Sequence, residues 1–425
     1  MTDQRSQAEI VRRSLKKRYR KERRFRAYGI VAIFIALASL FILFADIIAK
    51  GHSGFIKTTI TLDVTLDSEQ MYLDDPTDSD QVSMADFNAP IIAALQQHFP
   101  DADSAGQKRE LNRLVGSYGS NDIKDRLSAN PELLNTTETF EFQASDQVSV
   151  YVKHADNPRY SVGLSEQQQA WVDELVEKGV IGTGFNDILF SRGDSRNPGN
   201  AGLLGAVVGS LLTMLVTLAL SFPMGIAAAV YLEEFAPQNK ITDFIEVNIN
   251  NLAAVPSIIF GLLGLAVFIG LFGMPRSVPL VGGIVLSLMT LPTIIISSRA
   301  AIKSVPPSIR EAAEGVGASK MQVVLHHVVP LAMPGMLTGS IIGMAQALGE
   351  TAPLLLIGMV AFIVDVPGGF FDSATVLPVQ VYLWASSSEQ GFIELASAAI
   401  MVLLTFMISM NALAIWLRKR LERRW

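Results

Sequence analysis

The sequence contains no cysteine, which excludes disulfides, thiolate nucleophiles and cysteine-ligated metal sites. It contains no Gly-Lys dipeptide, which excludes a P-loop, and no Gly-x-Ser-x-Gly elbow. Histidine is scarce: there are five, and the adjacent His326 and His327 lie outside any HExxH pattern or carboxylate cluster. Charge is scarce too, at 17% of 425 residues against roughly a quarter in soluble domains. With half of the residues hydrophobic, a soluble globular enzyme is excluded, and if ATP drives this chain another chain must bind it.

The net charge of −6 is unevenly spread. Residues 1–28 carry 11 basic and 3 acidic side chains, residues 51–200 carry 11 and 24, and the remainder 12 and 13. A bilayer needs about 20 apolar residues per helix, and six runs qualify: Tyr28–Ala49, Gly202–Tyr231, Leu252–Phe272, Leu280–Ile302, Pro334–Val364 and Ile393–Leu417. The second and fifth are long enough to be tilted or broken, with Pro223 and Pro353 placed to supply the break. Six spans put the basic segment 1–27, the connection 303–330 and the basic tail 418–425 on one side and the acidic block on the other. The excess of Lys and Arg makes the first side cytoplasmic, so both termini are expected there.

Residues 50–184 read as a small extracytoplasmic α+β domain between the first span, 28–49, and a five-helix core, 185–417. Apolar residues occupy the even positions from Ile56 to Leu66, a half-buried strand pattern. A second alternation runs through Phe140 and Phe142 into Val148, Val150 and Val152. Helical patterns cover Pro90–His98, Gln107–Tyr118 and Ser165–Lys178, the last opening with Ser165 and Gln168 in capping-box spacing. The acidic stretch Asp67–Ser83 is expected to be a mobile loop.

The connection after the fourth span is the most informative segment. It reads as a short helix with Ser308 available as cap, Glu311 and Glu314 near its N-terminal half, small Ala312 and Ala313, and Gly315 and Gly317 to turn the chain away. Glu311-Ala312-Ala313, three residues and Gly317 resemble the EAA coupling loop of ABC importer permeases. The downstream Ile-x-Leu-Pro of that loop is met by His327-Val328-Val329-Pro330, so its proline is kept and its isoleucine is not. Gly349-Glu350-Thr351-Ala352-Pro353-Leu354-Leu355 is similar to the GETAPLL segment of PstA-type phosphate permeases.

The resemblance implies an all-α polytopic membrane protein with six transmembrane helices in the type I ABC importer permease fold, carrying the α+β domain as an insertion. It implies an inner-membrane permease for inorganic phosphate, not itself an enzyme and without a cofactor, whose ATP and Mg are bound by a PstB-like ATPase docked on Glu311, Ala312, Ala313 and Gly317. A PstC-like second permease and a PstS-like phosphate-binding protein would complete the assembly, with lipid around it and no nucleic acid. Candidate pathway residues are Ser297, Ser298, Arg299, Gln346, Glu350 and Thr351: hydroxyls, amides and a cation that an anion needs at membrane depth. Relatives that carry arginine where this chain has Gln346 and Ile296 would hold phosphate differently. Glu350 is expected to pair with Arg299 or a partner cation, and Arg299 reads equally as a snorkelling anchor. Molybdate, sulfate or phosphonate permeases, a membrane-anchored sensor and a secondary transporter are the competing readings.

Overall fold

A computed structural model describes residues 3–154 and 163–421. It divides into two compact units, Met1–Lys50 and Gly51–Trp425. The first is helix α1 (Asp3–Gly51), in which the basic segment and the apolar run are one continuous rod. Asp46, the acid near the far end of that run, is met by Lys50 one turn on at 2.8 Å.

In the second unit a domain forms from β1 (Ile56–Thr65), α2 (Ala89–His98), β2 (Thr137–Gln143), α3 (Asp146–Lys153), α4 (Glu166–Glu177) and β3 (Ile181–Phe185). β1 is central and antiparallel to both neighbours, with Leu62 opposite Phe140 and Ile56 opposite Phe185. The alternation in β1 sends Ile60, Leu62 and Val64 into the core while Thr61 and Asp63 face out. α2 and α4 cover that face with Ile91, Leu95, Trp171, Val172 and Leu175. The Ser165–Gln168 capping box is formed at the start of α4.

Three expectations for this domain are corrected. The alternation stops at Gln143: Val148, Val150 and Val152 lie on α3, where Val148 and Val150 are buried on the helix. The stretch Asp67–Ser83 is ordered into short helices Ser68–Met71 and Ser79–Met84, each opened by an aspartate accepting from a backbone N–H, and Met71 and Leu73 anchor it in the core. The Gln107–Tyr118 pattern is helical only to Asn112.

The core follows as α5 (Leu204–Val230), α6 (Lys240–Ala253), α7 (Ser257–Leu263), α8 (Pro279–Lys303), α9 (Pro307–Gly315), α10 (Val329–Gly349), α11 (Leu377–Ala385) and α12 (Gln390–Leu421). Single π-turns extend α5 over Tyr231–Phe235, extend α7 over Gly264–Leu271 and precede α10 over Val324–Val328. Among the described residues five helical stretches are long and apolar enough to cross a membrane, and a sixth if α6 and α7, bent by 103°, count as one. The third run is therefore a broken element. The fifth occupies Lys320–Gly349, not Pro334–Val364: Glu350 is extended, and Pro353 sits in the first turn of a new helix, Ala352–Leu356. α5 runs through Pro223 without breaking. Small residues let the spans close up, and a Cβ on Gly225 would lie 2.6 Å from Ile294 on α8. The basic tail residues Arg423 and Arg424 lie outside the described residues.

The inserted domain meets the core at the start of α12. Buried Glu394 accepts His154 Nε2 at 2.7 Å and lies 3.8 Å from Lys153 Nζ. A Cβ on Gly391 would lie 2.5 Å from the Asp146 carboxylate, so the two elements touch without a side chain between them. Burial, reinforced by Glu389 and Glu394, pushes the Asp146 carboxyl up to about 6 despite Lys153. A raised carboxyl contributes stability below its unfolded value of 3.8 and loses it as pH rises through about 6. Asp146→Asn is therefore expected to be more stable than wild type by roughly 1–3 kcal/mol at pH 8. The gap should close below about pH 4, as read by thermal unfolding of the detergent-solubilised protein across pH.

Candidate functional site

α5 starts beside the inserted domain and ends, with its π-turn, beside α9, so the α9 end and the domain end are opposite ends of the bundle. At the α9 end, α5 finishes on two adjacent acids, Glu233 and Glu234. Consecutive helical residues diverge by roughly 100°, and the two carboxylates take different partners. Glu233 accepts from Arg299 Nε on α8, with Lys303 Nζ at 3.4 Å. The other arm of Arg299 reaches Glu246 on α6. Glu234 accepts from Arg310 Nε and Nη2 on α9, at 3.2 and 2.8 Å. Arg310 also donates to the carbonyls of Val305 and Ile302, at 2.7 and 3.1 Å. One network thus ties α5, α6, α8 and α9. Beside it, Ala229, Leu232, Ile302, Ala313, Val328 and Met336 form a shared apolar cluster.

α9 begins at Pro307 with Pro306 as cap, so Ser308 lies inside the helix and caps nothing. Proline supplies the start because its fixed φ suits a first turn. Ala313 is buried while Glu311 and Ala312 are exposed. Gly317, at φ +88°, ends the helix: its N–H donates to Glu314 O at 2.9 Å and that of Ala318 to Ala313 O at 3.1 Å, a Schellman closure. Val316, Met321 and Leu325 are exposed around it.

The remaining candidates fall elsewhere. Ser297 Oγ bonds back to Thr293 O at 2.8 Å and packs on Gly339, so it belongs to the α8–α10 contact. Ser298 is buried, and its hydroxyl has no hydrogen-bond partner among the described residues. Gln346 is exposed on α10, Glu350 half-buried just beyond it, and Thr351 precedes the Ala352–Leu356 helix. The expected Glu350–Arg299 pair does not form. With Ser297 level with Gly339, the antiparallel register separates Glu350 from Arg299 by roughly 20 Å at 1.5 Å per residue. Glu350 has no ion-pair partner among the described residues. An apolar cavity of about 180 Å³ between α5, α10 and α12, lined by Met214, Leu218, Met344 and Met407, offers an anion almost no donor.

Sequence reasoning singled out Arg299 but missed Glu233, Glu234, Glu246 and Arg310. The signal was present as two adjacent acids closing an apolar run, which demand cations from the neighbouring helix ends.

Residues 221–425 match the family described as "Binding-protein-dependent transport system inner membrane component". The chain is 30% identical over 237 residues to "Phosphate transport system permease protein PstA 2" of Mycobacterium bovis, covering 55% of this chain and 76% of that one. The chain belongs to this permease family. "Probable ABC transporter permease protein YqgI" of Bacillus subtilis is 33% identical over 154 residues, covering 36% of this chain and 52% of that one. The chain thus spans about half the length of that permease, and 63% of a second, YqgH, from the same organism. A solved methionine ABC transporter, MetNI, overlays with a TM-score of 0.41 at 18% identity, covering 52% of this chain and 98% of that one. Residues 12–161 match a domain of unknown function, DUF3333. The first span is therefore matched together with the inserted domain, and the permease match begins within α5.

Arg299 is the shared partner of two acids, of which Glu233 also has Lys303 at 3.4 Å and Glu246 has no second ion pair among the described residues. Arg299→Ala is expected to destabilise the protein by about 3 kcal/mol, the cost of stranding partly buried charge. Adding Glu233→Gln should recover part of that loss in the midpoint of heat unfolding in detergent.

Proposed function

We propose that this chain is the transmembrane permease subunit of an ATP-driven inorganic phosphate importer, forming half of the translocation pathway. The observation that carries the reading is α9: a short helix exposing Glu311, Ala312 and Val316 outward while Arg310 and Ala313 fix its other side to the spans. That is the arrangement a separate motor protein needs in order to push on a membrane bundle. The phosphate assignment is supported by relatives whose names are phosphate transport permeases and by the Gly349–Leu355 segment.

In this reading a PstB-like ATPase binds ATP and Mg and docks on α9, a PstC-like permease supplies the other half of the path, and a PstS-like protein delivers phosphate. The subunit itself catalyses no reaction. It sits in the bacterial inner membrane with both termini cytoplasmic and residues of about 50–200 periplasmic, a placement supported by the Lys and Arg distribution.

Phosphate at neutral pH is a mixture of mono- and dianion, so its path needs donors. Arg299 is committed to Glu233 and Glu246 and is not free to serve. Of the six candidate residues, Gln346, Thr351 and Ser298, whose hydroxyl has no partner among the described residues, remain able to donate. Glu350, next to Thr351, would repel the dianion and accept from a protonated oxygen, favouring the monoanion.

Gly317 at φ +88° is where the coupling helix turns back, and a β-branched side chain there costs about 1–2 kcal/mol of backbone strain. Gly317→Val is expected to lower radiolabelled phosphate uptake by about tenfold in cells lacking the native chain. The chain should still reach the membrane. Wild-type uptake in that variant would sink the coupling assignment. Competition of the wild-type uptake by molybdate or sulfate, with phosphate ineffective, would move the substrate to another oxyanion.

A further inference from the structure

Arg310 is the residue of α9 whose polar contacts all lie off its own helix. Its side chain is 24% exposed and its four hydrogen bonds go to Glu234 in the π-turn that ends α5, to the carbonyl of Ile302 in the last turn of α8 and to that of Val305 just beyond it. The same end of α8 is fixed to α5 a second time through Arg299 and Glu233. Apolar contact between Ala313 and its cluster keeps α9 near the spans, but such contact is non-directional and lets a small residue slide or roll. A planar guanidinium bonded to two elements at once sets both distance and rotation.

The π-turn contributes to this geometry. The Ala236 N–H bonds to Tyr231 O at 2.8 Å, five residues back, and within that wide turn Glu233 and Glu234 face α8 and α9 respectively.

We infer that Arg310 and Glu234 are positioning residues that make α9 move as one body with α5 and α8, so that a push on α9 is carried into the spans instead of being absorbed at the loop. The inference rests on the importer reading for what supplies the push. The clamp itself is testable without it.

Because the chain has no cysteine, a labelled pair can be introduced without background. Gln238→Cys and Ser308→Cys place spin labels on exposed positions just past α5 and on α9. The full chain, copurified with its ATPase, would be measured nucleotide-free and with ATP and vanadate. A narrow label–label distance that stays the same in both states is expected for wild type. In Arg310→Ala the distribution should broaden, and in Arg310→Lys, which keeps the charge but loses the fork, it should broaden less. A wild-type distance that changes with nucleotide, or an Arg310→Ala distribution as narrow as wild type, overturns the inference.

In uptake assays Arg310→Ala and Glu234→Ala should each lose about tenfold, on the order of one charge-assisted contact, while the ATPase still copurifies. The exchange of Arg310→Glu with Glu234→Arg should recover several-fold over either single variant by restoring the pair. Loss of ATPase copurification in Arg310→Ala would make Arg310 a docking contact and overturn its positioning role. A wild-type complex that takes up no phosphate counts against the proposed function alone, because the label measurement needs no transported substrate.

Discussion

A carboxylate at the end of an apolar span costs several kcal/mol if no cation meets it, and α5 ends in two. Their neutralisation organises the α9 end of the bundle. Glu233 holds Arg299, which in turn holds Glu246 on α6, and Glu234 holds Arg310 on α9. Two helix pairs, α5 with α6 and α8 with α9, whose bonded residues stand 66 and 76 apart in sequence, are brought to one corner by charge that cannot be left alone. The apolar cluster around Ala229, Ile302 and Ala313 then fills the space the ion pairs enclose.

Along the rest of the spans, packing depends on what is missing from side chains. Gly225 and Gly283 let α5 lie against α8, and Gly335 and Gly339 let α10 lie against α8, with Ala301 and Ser297 in the grooves. Hydroxyls in this zone bond back to their own helices, as Thr217 does to Thr213 O and Ser340 to Met336 O. They therefore add no uncompensated polarity at membrane depth. Thr213 and Ser298 depart from that pattern, and a buried hydroxyl without a partner among the described residues is where an exception to structural economy is worth seeking.

Hydropathy made five apolar helical stretches and the strand β1 legible, since both signals run over many residues. Local chemistry also gave the Ser165 cap and the turn at Gly317, because a capping box and a left-handed glycine act within a few residues. What escaped depends on tertiary partners. Val148, Val150 and Val152 alternate like a strand, yet they lie on helix α3. The break expected near Pro353 falls just before it, at Glu350, but the helix that leads to it begins well before Pro334, at Lys320. Charge sign alone pairs Arg299 with Glu350. Antiparallel register put them at different depths, and register cannot be read from composition.

The inserted domain closes on itself in a way that matters for how such a chain is assembled from parts. Ile56, where the chain enters, and Phe185, where it leaves, are paired neighbours in the same sheet, so their Cα atoms stand about 5 Å apart. Some 130 residues therefore hang from a doorway no wider than a hairpin turn. A cassette with its two ends side by side is topologically silent: it can be acquired or lost by a lineage as one short splice, with the helices that follow keeping their order and mutual register.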